Sequence, residues 1–196
     1  MAEPTSDPPR GRPPLRKNPY FWAAIAGLVL VPAIRPLTRR VPEPPPAVGR
    51  MPAFELTDRA GHAVSSQALA DHVYLATLLV PSARDRQLDA LVKSFERCRR
   101  MGVKLWLVTF AGDEDVAPLA LRIEARVGRL THEPPGWIVL AGRPARGIAA
   151  GALDAGRSLL VDGEGGLRGA YPTDDDGLYE VFHRAQHVMS LRKVWR

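Results

Sequence analysis

Three short apolar runs constrain this chain more than any other feature: VYLATLLV (73–80), VKLWLVTF (103–110) and GWIVLAG (136–142). Each is nearly continuous rather than alternating. That pattern belongs to strands covered on both faces, as in a parallel sheet. Between them lie stretches of helical period. In LDALVKSFERCRRMG, Leu88, Leu91, Phe95 and Cys98 recur on one helix face. GDEDVAPLALRIEARVG supplies a second helix, with acids expected in its first turn, where they complement the helix dipole. Ahead of the first run, FELTDRAGHAVS predicts a hairpin turning at residues 58–61. After the third, RSLLVDGEGGLRGAY predicts another, turning at 162–166. TDDDGLYEVFHRAQHVMSLRKVW closes the chain as a helix, its stripe formed by Leu178, Val181, Phe182, Ala185, Val188 and Met189. Helices alternating with buried strands imply a central sheet covered on both faces.

The segment before residue 51 obeys different rules. Residues 1–19, rich in Pro and Arg, show no apolar period and predict a disordered tail. Residues 20–37 begin with the uncharged run YFWAAIAGLVLVPAI and predict an uncleaved transmembrane anchor, with Tyr20, Phe21 and Trp22 as an interfacial belt. A cleaved signal peptide is the competing reading. Residues 38–50 hold VPEPPPAVG, a stiff spacer of polyproline type. Residues 51–196 form the folded domain. Basic residues flank the apolar run equally on both sides, so charge alone leaves its orientation open.

The formal net charge of +6 suggests a nucleic-acid partner only until it is divided. Residues 1–50 carry eight Lys and Arg against three acids; the remainder carries nineteen against eighteen. The domain lacks the basic surplus that phosphate neutralisation needs, so nucleic acid is not an expected partner.

One cysteine, Cys98, excludes an internal disulfide and a Cys-rich zinc site. Its place on an apolar helix face predicts a buried, unreactive thiol. His183 and His187 are four residues apart on the last helix, a spacing compatible with a metal, with Glu180 one turn earlier. Without a third preorganised ligand they are expected to be a solvated polar face. His62, His72 and His132 are expected at the surface. Ser82 lacks an identifiable His partner, which leaves a hydrolase triad without support.

The order of elements suits a thioredoxin-like α/β sandwich: a central mixed sheet, helices on both faces and an N-terminal hairpin, behind one transmembrane helix. From about Phe54 onward the chain resembles the Sco/SenC family, membrane-tethered proteins of this fold that handle copper for cytochrome c oxidase assembly. The resemblance is carried by FELTDRAGHAVSSQALADHVYLATLLVPS, VKLWLVTFAGDEDVAPLAL, GWIVLAG and, most closely, SLLVDGEGGLRGAY. It implies copper ligands in a Cys-x-x-x-Cys pair and a distant His. Those positions fall on Ala83, Gln87 and, near the last hairpin, Asp154. A methyl group, an amide and a carboxylate do not replace two thiolates and an imidazole for Cu(I), a soft ion. Thiol–disulfide exchange equally requires a thiolate.

The expectation is therefore a non-enzymatic Sco-like protein with no cofactor, its site vacant rather than rebuilt. Ser82 is expected to cap the following helix, with Asp85 completing a capping box. Ser82, Arg84 and Asp85 form the candidate binding surface. The resemblance implies a membrane-anchored, single-pass protein with its domain on the periplasmic side. Its implied partners are the membrane and a cytochrome c oxidase subunit or another assembly factor. Two alternatives stay open: an active copper carrier or thiol oxidoreductase using His183, His187 or Cys98, and a peptide-binding module unrelated to oxidase.

Overall fold

The computed structural model describes residues 19–38, 46–130, 135–145 and 148–194. The chain divides into two units, Met1–Pro42 and Glu43–Arg196. The described part of the first is one helix, α1 (Pro19–Thr38). Tyr20, Trp22, Leu28 and Leu30 are exposed on it, and the rings of Phe21 and Trp22 meet edge to face at 5.7 Å. No described helix is long and apolar enough to cross a membrane. The apolar run over 20–37 is thus helical.

The second unit is built on a six-stranded mixed sheet. Its strands are β1 (Gly49–Arg50), β4 (Tyr74–Leu78), β5 (Trp106–Phe110), β6 (Trp137–Leu140), β7 (Arg157–Val161) and β8 (Gly166–Pro172). Their order is β1-β8-β7-β4-β5-β6. β4, β5 and β6 run parallel, with Tyr74 opposite Trp106 and Leu107 opposite Trp137. Every residue of those three strands is buried, which is why their sequences do not alternate. β7 joins β4 antiparallel and turns back into β8. A separate two-stranded hairpin, β2 (Glu55–Thr57) with β3 (Ala63–Ser65), turns where the sequence placed it. In that turn Asp58 Oδ1 accepts the N–H groups of Ala60 (2.8 Å) and His62 (2.9 Å). Burial opposes ionisation of Asp58, yet those N–H groups and the His62 ring hold its pKa below the ordinary value.

The two sheet faces bury different partners. One face, including Leu75, Leu107, Trp137 and Leu160, packs on α2 (Arg84–Met101), α3 (Val116–Val127) and α5 (Asp175–Val194). The other, with Tyr74, Ala76, Val108, Phe110 and Leu159, packs on the short helix α4 (Ile148–Asp154), Met51, Phe54 and Leu69. A line of hydroxyls crosses the first face. Thr77 and Ser158 lie 2.9 Å apart and Ser158 and Thr173 2.8 Å apart, all buried, so each satisfies the next.

Several expectations are corrected. Ser82 is exposed and does not cap α2: the N-cap is Ala83, and no side chain bonds the helix start there. Asp85 consequently has no capping box to complete. Acids 113–115 precede α3 rather than fill its first turn, and Asp115 caps it by accepting the Ala117 N–H at 3.1 Å. Two elements were not anticipated. β1 adds an edge strand within the stretch read as spacer, pinned by Val48 N–H to the Leu167 carbonyl and Met51 N–H to that of Gly165. α4 forms from IAAGALD, where Ala149 and Leu153, four apart, bury together.

Candidate functional site

In a parallel sheet the loops after the strands converge at one edge, and binding sites gather there. Here β4 runs into α2, β5 into α3, and β6 towards α4. β4 ends at Leu78, and Pro81, three residues on, lacks the N–H that further pairing would need; the Ala83 N–H bonds the Val80 carbonyl at 3.0 Å to close the turn. α2 then begins without a side-chain cap. Its Gln87 N–H reaches the Ala83 carbonyl at 2.9 Å.

Gln87 organises the rim. It is only 4% exposed. Its Oε1 accepts the Val80 N–H at 2.8 Å, and its Nε2 donates to the Gly156 carbonyl at 3.3 Å. One amide therefore ties the β4–α2 turn to the loop between α4 and β7. Gly156 has φ +71°, and a Cβ there would lie 3.2 Å from Gln87 Nε2 and 3.3 Å from Val80. Glycine is the residue that permits both the conformation and the approach.

Arg143, after β6, makes the second brace. Its guanidinium donates to Asp154 (3.1 Å) and to Asp113 (2.7 Å), joining the end of α4 to the loop after β5. Arg84, at the first position of α2, pairs with Glu114 at 2.5 Å, while its Nε is buried without a hydrogen-bond partner among the described residues. Asp85 is largely exposed, 3.9 Å from Arg126.

The positions that the resemblance assigns to copper ligands are thus brought to one rim. Ala83 has no donor atom, the Gln87 amide is engaged at both ends, and Asp154 is held by Arg143. This set does not fit Cu(I). Nor is the rim vacant: Gln87 bonds Val80 and Gly156, and Arg143 bonds Asp113 and Asp154. The signal missed in the sequence was the pairing of Gln87 with Gly156, two residues far apart in the chain.

The other candidates lie elsewhere. Cys98 is fully buried, and burial pushes its thiol up to about 12, with Arg97 acting weakly in the opposite direction. His183 is exposed, its ring 4.6 Å from Tyr179 and 5.6 Å from Phe182. Among the described residues no group of three His, Cys, Asp or Glu is placed to hold a metal. His62 lies by Asp58 at 3.4 Å, and His72 packs 5.5 Å from Trp106. His132 lies outside the described residues.

Together, the sheet, the helices on its faces and the rim after β4 define a thioredoxin-like α/β domain. No family model matches the chain, and no curated protein matches its sequence. Solved structures do. One is a SCO1/SenC family lipoprotein from Bacillus anthracis, at TM-score 0.55 and 12% identity over 72% of this chain and 95% of that one. A second is BsSco, described as a member of the Sco family of cytochrome c oxidase assembly proteins with a disulfide switch. It gives a TM-score of 0.54 and 14% identity over 73% and 98%. A third, described as a protein disulfide isomerase, is from Bacteroides thetaiotaomicron: 0.53 and 16% over 74% and 91%. The likeness to Sco/SenC proteins read from the sequence therefore holds at the level of the fold.

Proposed function

We propose that this chain is a membrane-anchored, Sco-like binding protein without a copper or redox centre, an accessory factor in the assembly of cytochrome c oxidase or a related respiratory complex. The observation that carries this reading is Gln87. The amide at a position that the resemblance gives to a ligand thiol bonds Val80 and Gly156, so the rim is closed by the protein's own groups. The biological setting is supported by the neighbours in fold, two of which are described as Sco proteins. In this reading the apolar segment 20–37 tethers the chain to a membrane and the domain works on the periplasmic side. The exposed start of α2, Ser82 and Asp85 beside Arg84, contributes to the contact surface.

Titration of the full-length protein with Cu(I) against a competing chelator tests the proposal. The expected result is no stoichiometric uptake and no catalysed disulfide reduction, together with co-purification of an oxidase subunit. Uptake of one equivalent would replace this reading with that of a copper carrier. The thiol oxidoreductase alternative is opposed by the burial of Cys98.

A further inference from the structure

We infer that the flank of α2 facing α5 is a docking surface for an acidic segment of a protein partner, one of whose carboxylates is received by Arg97 and Ser94. The inference deepens the binding role proposed above by naming the chemistry of what is bound.

Ser94 is the starting observation. It is 4% exposed, it lines a cleft of about 220 Å³ between α2 and the start of α5, and its Oγ has no hydrogen-bond partner among the described residues. Buried hydroxyls are normally partnered, so this one is an unused donor on the wall of the cleft. Arg97, one turn further along, lines the same cleft. Its guanidinium lies over the Tyr179 ring at 4.8 Å and near Phe182 at 5.8 Å, and no carboxylate pairs with it among the described residues. The ring contact leaves the guanidinium without a carboxylate among the described residues, and its planar fork of N–H donors matches one in bidentate fashion. Lys93 shares the cleft but is held by Asp175 at 2.6 Å.

The charge continues beyond the cleft. Arg86, Lys93, Arg97 and Arg100 follow one another at spacings that place them on one stripe of α2. Asp89, beside the stripe, pairs with Arg126 at 3.2 Å. Arg86, Arg97 and Arg100 have no ion partner among the described residues, so the stripe presents net positive charge to a partner.

Three features select an acidic peptide over a uniformly anionic surface. The donors line a recess that admits one side chain at a time. Asp175 and Asp176 also line it, so an acid must seat on the Arg97 side and away from them. That placement is open to one side chain and closed to a continuous sheet or string of negative charge. Tyr179, 51% exposed, offers an apolar wall for a residue next to the acid.

The experiment follows backbone amide shifts of the full-length chain during titration with acetylated, amidated Ala-Phe-Glu-Glu-Ala, and with Ala-Phe-Gln-Gln-Ala as control. Saturable shifts centred on Ser94, Arg97 and Tyr179 are expected with the acidic peptide alone. Affinity should fall roughly tenfold in Arg97→Gln, the loss of one charge-assisted contact. Arg97→Lys should recover only part of it, because Lys lacks the planar fork. Thermal melts confirm that both variants are folded. The inference is overturned by equal binding of the amide peptide, by no saturable shift at millimolar concentration, or by unchanged affinity in Arg97→Gln. Stronger perturbation of the same residues by phosphatidylglycerol vesicles or polyphosphate would also overturn it. Failure here leaves the copper result standing, whereas copper uptake would sink the functional proposal and leave this titration intact.

Discussion

The two ends of α2 invert the arrangement expected of a thiol protein. Its first turn is where a cysteine would be activated: helix N–H groups point outward without a side-chain cap, and the positive end of the dipole favours a thiolate. That end carries Ala83 and Gln87. Near the opposite end, where the dipole is negative, the chain places its single cysteine, fully buried against the sheet. Reactivity in such a fold is therefore a matter of position along one helix, and possession of a thiol in the domain does not confer it. The middle of α2 adds a further contrast. At the rim Gln87 and Arg143 bond other groups of the chain, while at the α5 flank Ser94 and Arg97 are left for something else.

The largest expected effect concerns Cys98. With its thiol raised from 9.0 to about 12, the thiolate fraction at pH 8 falls roughly a thousandfold below that of an ordinary cysteine. Labelling by an alkylating reagent should be slowed at least that much in the folded protein and become fast after unfolding in urea. Rapid labelling without unfolding would break the contrast between the two ends. The same shift fixes a sign for stability. The folded state favours the neutral thiol, so its contribution is complete below about pH 9 and is lost as pH rises towards 12.

Gln87→Leu comes next. It preserves bulk but leaves the Val80 N–H and the Gly156 carbonyl without their partner, at a cost of about 2–3 kcal/mol in urea unfolding. A neutral outcome would mean that the rim is not braced. Arg143→Ala should cost about 1 kcal/mol, because its two ion pairs are half-exposed and partly screened. Ser94→Ala should change stability by less than about 0.5 kcal/mol or raise it slightly, since it removes a buried hydroxyl that bonds nothing in the chain. A large loss there would show that Ser94 belongs with the rim residues.

The sheet was legible because its information is local. WLVTF and WIVL are buried at every position, and such runs admit few other readings. The two hairpins were legible for the same reason, since Asp58 and Asp162 each bond backbone groups a few residues away. Asp162 Oδ1, for example, accepts the N–H groups of Glu164 at 2.9 Å and Gly166 at 2.7 Å. β1 escaped notice because two residues hold no period, and its strand character comes entirely from β8. α4 escaped because IAAGALD includes a glycine and only seven residues, and burial against the sheet outweighs weak propensity. Ser82 misled for a related reason: the turn closes through the Ala83 N–H and places the serine one residue too early to serve the helix. At the site, the sequence displayed which residues replaced the ligands. It did not display that Gln87 reaches Gly156, sixty-nine residues on, because that bond exists only after the sheet has assembled.

The two-residue strand β1 has a practical corollary. It hides the outer margin of β8, and a recombinant fragment started at Met51 would omit it, uncovering the carbonyl of Leu167. An unshielded margin of that kind recruits strands from neighbouring molecules. Fragments begun at the proline-rich segment would keep this hem sewn and stay monodisperse, whereas shorter ones would clump for a reason unrelated to their biological partner.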